Sequence, residues 1–184
     1  MTKKQDFYEI IDTVHLIPLS QGFRINDFEC EIEEYKMYLQ CNALESQEMN
    51  ISKVHLLINE QNADIISYMV LVTDSIPLSD NEKNLHQMEC IPYGAFPSLK
   101  IAKLAVDKNY KNKYKGIGSF MIELARGMAY DINELGVACR FLTIDADIEH
   151  NATVTDFYYK NGFVENEKHK KRTKTLSMRL DIFS

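Results

Sequence analysis

Long apolar runs, closely paired cysteines and glycine are all scarce in this chain, and each shortage narrows what it can be. The longest uninterrupted apolar run is Tyr68-Met69-Val70-Leu71-Val72, far below the roughly 20 residues a membrane-crossing helix needs. Behind Met1 there is no apolar h-region with a small-residue cleavage site, so the expectation is a cytoplasmic protein with no membrane partner. Cys30, Cys41, Cys90 and Cys139 are far apart and make none of the C-x-x-C pairs of zinc ribbons or redox centres, so they read as free thiols. His15, His55, His86 and His169 lack ligand spacing, so no metal role is assigned. Neither repeats nor Gly/Ser- or Pro-rich linkers interrupt the 184 residues, which suit a single domain, 1–184, burying its core without staples. A net charge of −6 makes nucleic acid an unlikely partner in general, because neutralising phosphates takes surplus Lys and Arg.

What is present is a mixture of both secondary-structure periods. Residues 14–19 suit an edge strand, since Pro18 cannot donate to a ladder. Phe28, Ile32, Tyr35 and Leu39 recur at helical spacing, which predicts a helix from Asn26, capped by Asn26 or Asp27 and acidic on its outer face. Residues 52–58 and 63–73 read as an antiparallel hairpin, and 74–98, with Pro77, Pro92 and Pro97, as a long loop forming a substrate-side wall. A buried strand over 100–106 leads through a polar connection, 107–115, into a long helix. Its apolar face comprises Ile117, Met121, Leu124, Ala125, Met128, Ile132 and Leu135, with Gly136 as the stop. A strand over 140–146, a short helix over 153–160 and closing strands at 163–164 and 175–180 complete an α/β (α+β) pattern, a mixed sheet with helices packed on it.

Glycine numbers 7 where average usage of about 7% would give about 13, yet Gly116 and Gly118 sit one residue apart. They fall between a buried strand and the start of the longest amphipathic helix. There, backbone amides of residues 115–119 and the helix dipole can hold an anion. Lys111, Lys113 and Lys115 lie alongside. A dinucleotide fingerprint needs a third glycine where Met121 stands, and a P-loop needs a lysine after the second glycine, where Ser119 stands. Neither pattern is met, so the amides suit some other pyrophosphate or nucleotide phosphate, unless the two glycines simply make a tight strand-to-helix turn.

Four blocks in order, Leu104-Ala105-Val106-Asp107, then Lys115-Gly116-Ile117-Gly118-Ser119, then Cys139 to Ala146, then Phe157-Tyr158-Tyr159-Lys160-Asn161-Gly162-Phe163, resemble the GCN5-related N-acetyltransferase (GNAT) superfamily, bacterial members included. They cover about residues 100–165. The resemblance implies a GNAT-like mixed, mostly antiparallel central sheet flanked by helices, and acetyl-CoA (coenzyme A) as acyl donor. Its diphosphate loop falls on Lys113, Tyr114, Lys115, Gly116, Ile117, Gly118 and Ser119, with lysine in place of the usual first Arg or Gln and a slightly longer approach from Val106. Main-chain groups of Leu104, Ala105 and Val106 are expected to meet the pantetheine arm and thioester. The family's Asn-x-x-Ala-x-x-Phe-Tyr block falls on Asn151, Val154, Phe157 and Tyr158, with valine in the alanine position.

The implied enzyme is an N-acyltransferase passing acetyl directly to a primary amine. A backbone N–H near Leu104 or Ala105 would face the oxyanion, and Tyr158 would give a proton to the leaving thiolate, with Tyr159 as scaffold. No carboxylate lies on strand 100–106, so Asp145, Glu149 and His150 are the remaining bases, acting through water. Asp27, Glu29, Glu31, Glu33 and Glu34 form an acidic stripe that would draw a cationic amine, a polyamine or a lysine-containing peptide. The alternatives are a toxin-like acetyltransferase acting on aminoacyl-tRNA, with residues 100–115 and the basic segment 168–174 against phosphates, and a non-catalytic acyl-CoA-binding module. A homodimer is compatible with either.

Overall fold

Alternating and helical hydrophobic patterns resolve into strands and helices close to their expected order. A computed structural model describes residues 4–168 and 174–184. The elements are β1 (Gln5–Asp6), β2 (Val14–Pro18), α1 (Glu33–Cys41), α2 (Ala43–Glu48), β3 (Lys53–Asn59), β4 (Ile65–Ile76), α3 (Asp80–Leu85) and β5 (Phe96–Val106). There follow α4 (Lys108–Lys113), β6 (Tyr114–Lys115), α5 (Ile117–Glu134), β7 (Phe141–Asp147), α6 (Val154–Lys160), β8 (Val164–Glu165) and β9 (Thr175–Asp181). Hydrogen-bonded strand order is β2-β3-β4-β5-β7-β9-β8, and β1 pairs with β6 apart from it. β2/β3, β3/β4, β7/β9 and β8/β9 are antiparallel, and β5/β7 is parallel. This is the GNAT-like mixed, mostly antiparallel sheet flanked by helices expected from the sequence. Packing divides the chain into two compact units, Met1–Val72 with Ala102–Glu123, and Thr73–Ile101 with Leu124–Ser184.

In the first unit, Leu39, Val54, Leu56 and Tyr68 are fully buried around Phe28 and Ala105. Burying each leucine or phenylalanine side chain there contributes about 1.5–3 kcal/mol. Tyr68 brings a polar tip into that core and satisfies it by donating to the Tyr35 carbonyl at 2.7 Å, while burial pushes its hydroxyl pKa far up. The first helix does not begin at Asn26. A short 3-10 turn, Ile25–Asp27, ends in extended backbone at Phe28, and α1 starts only at Glu33. The reason is a competing partner: the Glu29 N–H donates to the Asp107 carboxylate at 3.1 Å, and the Glu29 carbonyl accepts from Lys108 N–H at 2.8 Å. Phe28 and Cys30, both buried, thus alternate with half-buried Glu29 and exposed Glu31, as extended chain requires.

In the second unit, Ile76, Leu78, Phe96 and Phe141 form a core. Within the expected loop 74–98, β4 runs on to Ile76 and α3 forms at Asp80–Leu85. A capping box starts that helix: Ser79 Oγ accepts from Glu82 N–H, and Glu82 returns its carboxylate to Ser79 N–H. α5 ends before Leu135, which is exposed rather than part of the apolar face, while Ile122 and Ala129 are buried on it. Among the described residues no helix is long and apolar enough to cross a membrane.

Candidate active site

Strand β5 supplies the first half of the expected site. Within the first unit, Ala105 presents its carbonyl toward β4, where Ser67 Oγ donates to it at 2.7 Å, and the Asp107 N–H donates to the Ile66 carbonyl at 2.9 Å. Successive residues of a strand aim their main-chain groups at opposite edges. Leu104 and Val106 therefore turn their N–H and C=O to the edge away from β4. The parallel register with β7 covers Ser98–Lys100, whereas β5 continues to Val106. Leu104 and Val106 thus suit the role of main-chain partners to an extended ligand arm. Ala105 turns its carbonyl to β4 instead; of the two expected oxyanion donors, the alternation favours Leu104.

The polar connection 107–115 is not a loop. Asp107, nearly buried, caps α4 by accepting from the N–H groups of Asn109 and Tyr110, and the chain then passes through β6 to Gly116. Gly116 has φ +97°, where side-chain-bearing residues are strained, and space is open where a Cβ would stand. From there α5 begins, with its first helical hydrogen bond running from Phe120 N–H to the Gly116 carbonyl at 3.0 Å. The N–H groups of Ile117, Gly118 and Ser119 precede that bond, so no carbonyl of the helix can accept from them. They sit at the positive end of an 18-residue helix. The structure therefore divides the two glycines' work: Gly116 makes the turn, and Gly118 lies within the first turn of α5. Tyr114 and Ile117 are buried and anchor the loop, while Lys113, Lys115 and Gly116 are exposed. An anionic diphosphate fits this cradle, which has open space at Gly116, three amides ahead of the helical ladder and lysines at the rim.

Charge is more evenly balanced than the sequence suggests. Lys111 pairs with Glu31 at 2.6 Å, Lys103 with Glu34 at 3.5 Å, Lys115 with Asp6 at 3.4 Å and Lys100 with Asp145 at 2.8 Å. Lys113 holds its ammonium over the Tyr114 ring at 5.0 Å. The expected acidic stripe is also no single helix face. Asp27, Glu29 and Glu31 precede α1, and all five carboxylates have a cation within 4 Å: Arg24 for Asp27, Lys36 for Glu29 and Glu33, and the two lysines above. Exposed pairs of this kind exchange readily, so a bound anion could take over Lys115, but the stripe is not a free cation trap.

In the second unit, α6 carries Phe157 and Tyr158. Tyr158 is buried, its ring edge-on to Phe157 at 5.1 Å and to Phe163 at 5.5 Å. Packing on both sides fixes the ring and hence the direction of its hydroxyl. Tyr159 is exposed and donates to Glu165. Asn151 closes a turn ahead of the helix, its Oδ1 accepting from Thr153 N–H at 3.0 Å and Thr153 Oγ at 2.9 Å. The three expected bases are each engaged: Asp145 with Lys100, Glu149 with Lys174 at 2.9 Å, and His150 with Asp147 at 2.8 Å. Of the basic segment 168–174, residues 169–173, including His169, lie outside the described residues.

Sequence reasoning missed the residues that brace the loop. Phe7 is fully buried against Tyr114 and Phe120, and β1 pairs with β6. The only legible signal was the Asp6-x-x-Glu9 capping pattern. The four thiols are free, with burial pushing Cys30 and Cys139 up. Among the described residues no cluster of His, Cys, Asp or Glu could hold a metal. A polar cleft of about 250 Å³ in the first unit includes Asp64, Asp107 and Tyr110. Its carboxylates already serve structure, Asp64 accepting from Arg24 and Tyr110 and Asp107 capping α4.

No family model matches the sequence, and no curated protein matches it. Solved structures do. AtaT complexed with acetyl-methionyl-tRNAfMet superposes with a TM-score of 0.73 at 18% identity, covering 89% of this chain and 93% of that one. A tyrosine-to-phenylalanine mutant of KacT gives 0.74 at 17% identity, covering 90% and 94%. AtaTR bound with AcCoA gives 0.73 at 18% identity, covering 94% and 96%. The chain therefore has the fold of AtaT and KacT, over nearly its whole length and nearly the whole of theirs.

Proposed function

We propose that residues 1–184 form one acetyltransferase domain, a cytoplasmic transferase that binds acetyl-CoA and passes its acetyl group directly to a primary amine. The observation that carries this is the pairing, within one unit, of a strand edge at Leu104 and Val106 with the Gly116 turn that opens the N-terminus of α5. Amides of Ile117, Gly118 and Ser119 hold the diphosphate, with Lys113 and Lys115 at the rim, and Leu104 and Val106 align the pantetheine arm. When bound, the thioester supplies an activated acyl carbonyl. The Leu104 N–H donates to the oxygen that gains charge as the amine attacks. As the C–S bond breaks, the Tyr158 hydroxyl would give its proton to the departing sulfur and recover one, through water, from the attacking nitrogen, which loses a proton in becoming the amide. Phe157 holds the Tyr158 ring, and Asn151 sets the entry to its helix.

For the acceptor, the α-amine of an aminoacyl-tRNA is favoured over a polyamine or a peptide lysine. AtaT was solved with acetyl-methionyl-tRNAfMet, and AtaTR with AcCoA. The acidic segment that would have drawn a polyamine is already paired with Arg24, Lys36, Lys103 and Lys111. The low expectation for nucleic acid rested on net charge, which says little about one surface, and on giving the lysines of 100–115 to coenzyme A. A thiol-release assay with acetyl-CoA across small amines, lysine peptides and aminoacyl-tRNAs tests both levels. Release with aminoacyl-tRNA, falling steeply with salt, is the expected result. Release with none of the three, despite acetyl-CoA binding, would leave the non-catalytic acyl-CoA-binding module. The cradle has its own test. Gly116→Ala forces a side chain onto φ +97°, which costs about 1–3 kcal/mol or relaxes the turn. Acetyl-CoA affinity by calorimetry should fall about tenfold or more, and an unchanged Kd would remove the amide cradle from the account.

A further inference from the structure

The segment ahead of β2 has no place in the chemistry so far, yet it touches the phosphate loop on both flanks. β1 runs parallel to β6, matching Gln5 with Tyr114 and Asp6 with Lys115, the two residues before the Gly116 turn. Phe7, fully buried, follows at once. Its ring meets Tyr114 edge-on at 6.3 Å and Phe120 at 5.5 Å. Tyr8 also meets Phe120, at 6.2 Å. Tyr114 and Phe120 bracket residues 115–119, so one side chain grips the loop before and after its amides. The strap is itself anchored: Asp6 caps the 3-10 turn Phe7–Thr13 in a capping box with Glu9, and Lys4 Nζ donates to the Lys111 carbonyl at 2.6 Å.

We infer that Phe7 is a positioning residue for the diphosphate loop, and that Asp6 restrains the affinity of that loop by holding Lys115. Loose amides at a helix start bind an anion poorly because binding must then order them. A buried ring wedged against Tyr114 and Phe120 removes that cost in advance. Asp6 acts in the opposite sense. Its carboxylate lies 3.4 Å from the Lys115 ammonium, with both side chains about half exposed, so it competes with phosphate for the same cation. Asparagine caps a helical turn as well as aspartate does, so Asp6→Asn removes the charge and keeps the anchor.

This rests on the loop being the coenzyme A site, and the experiment separates the two. Acetyl-CoA is titrated calorimetrically into the full chain, its Phe7→Ala, Phe7→Leu and Asp6→Asn variants, with unfolding followed without ligand. Steady-state parameters are measured for the same proteins. Phe7→Ala should weaken acetyl-CoA binding about tenfold, raising KM for acetyl-CoA with kcat and acceptor KM nearly unchanged, and Phe7→Leu should restore most of the affinity. Asp6→Asn should tighten binding roughly two- to fivefold at low salt, the gain vanishing at high salt. Folded Phe7→Ala with wild-type affinity, or loss of acceptor KM in equal measure, would overturn the positioning role. If Phe7→Ala does not fold, Phe7→Leu takes its place, and wild-type affinity there overturns the positioning role; unchanged or weaker binding by Asp6→Asn overturns the restraint on Lys115. No binding by the unaltered chain would instead take away the acetyl-CoA site, and this inference with it.

Discussion

Replacing Tyr158 with phenylalanine should lower kcat about a hundredfold to a thousandfold while leaving KM for acetyl-CoA and the melting temperature close to their starting values. The size follows from general acid catalysis, which contributes about 10²–10⁴ when a positioned group moves a proton in the transition state. A thiol of ordinary pKa near 8.5 leaves poorly as a naked thiolate, and a phenol of ordinary pKa near 10 can share its proton with it. Selectivity for kcat follows from packing. Tyr158 is held by Phe157 and Phe163 through its ring, which phenylalanine keeps, so only the hydroxyl is removed. Pre-steady-state mixing with a saturating amine checks this on the chemical step itself. A kcat within threefold of the wild type would relocate the acid.

Breaking the Glu82–Arg179 pair should destabilise the protein more than any change at the site. Both side chains are almost fully buried, in the second unit. Burial pushes the Glu82 carboxyl up, but the Glu167 N–H, the Ser79 N–H, the Arg179 guanidinium and the Ser79 hydroxyl outweigh it and hold it below the usual carboxylate range. Arg179 also donates to the Glu165 carbonyl and to Asn166 Oδ1. Glu82→Gln leaves a buried cation short of its counter-charge, at a cost of about 3–5 kcal/mol. At roughly 2–4 °C per kcal/mol for a chain of this size, Tm should fall by roughly 10 °C, measurable by calorimetry. The pH dependence has a definite sign. A carboxyl that titrates lower in the folded than in the unfolded protein adds stability that is complete above the ordinary carboxylate pKa of about 4.3. That stability fades as pH falls through the folded value. Glu82→Gln should therefore lose more against the wild type at pH 7 than at pH 3. A double change, Glu82→Leu with Arg179→Met, should recover only part of the loss, because the Ser79 and Glu167 N–H groups lose their acceptor.

The same pair shows where sequence stops being informative. Ser79 and Glu82, three apart, carry a capping-box signature that makes α3 legible from local spacing. That Glu82 would meet Arg179, 97 residues on, is invisible to any local pattern. The long helix α5 could be read because it repeats one period over many residues, the hairpin of β3 and β4 because Val-, Ile- and Leu-rich runs flank a polar turn, and the edge strand β2 because of Pro18. α1 was displaced because Phe28, Ile32, Tyr35 and Leu39 keep helical spacing while Asp107 claims the backbone at Glu29. α4 was missed because Lys108–Lys113 is short and polar and presents no apolar stripe. At the site, Gly116 announced itself through rarity and position. Which edge of β5 Leu104 faces depended on contacts of Ala105 and Asp107 with β4, and the bracing by Phe7 depended on a contact more than a hundred residues distant in the chain.

If Asp145, Glu149 and His150 stay with their charged neighbours, the acceptor of the proposed reaction has to shed its own proton to water. Near neutrality an α-amino group, with an ordinary pKa of about 8, is uncharged in roughly a tenth of molecules. A lysine ε-ammonium, at about 10.4, is uncharged in well under one in a thousand. A catalyst of this kind thus sorts its acceptors by basicity before any groove touches them, and it does so by two to three orders of magnitude in favour of amines that sit beside a carbonyl.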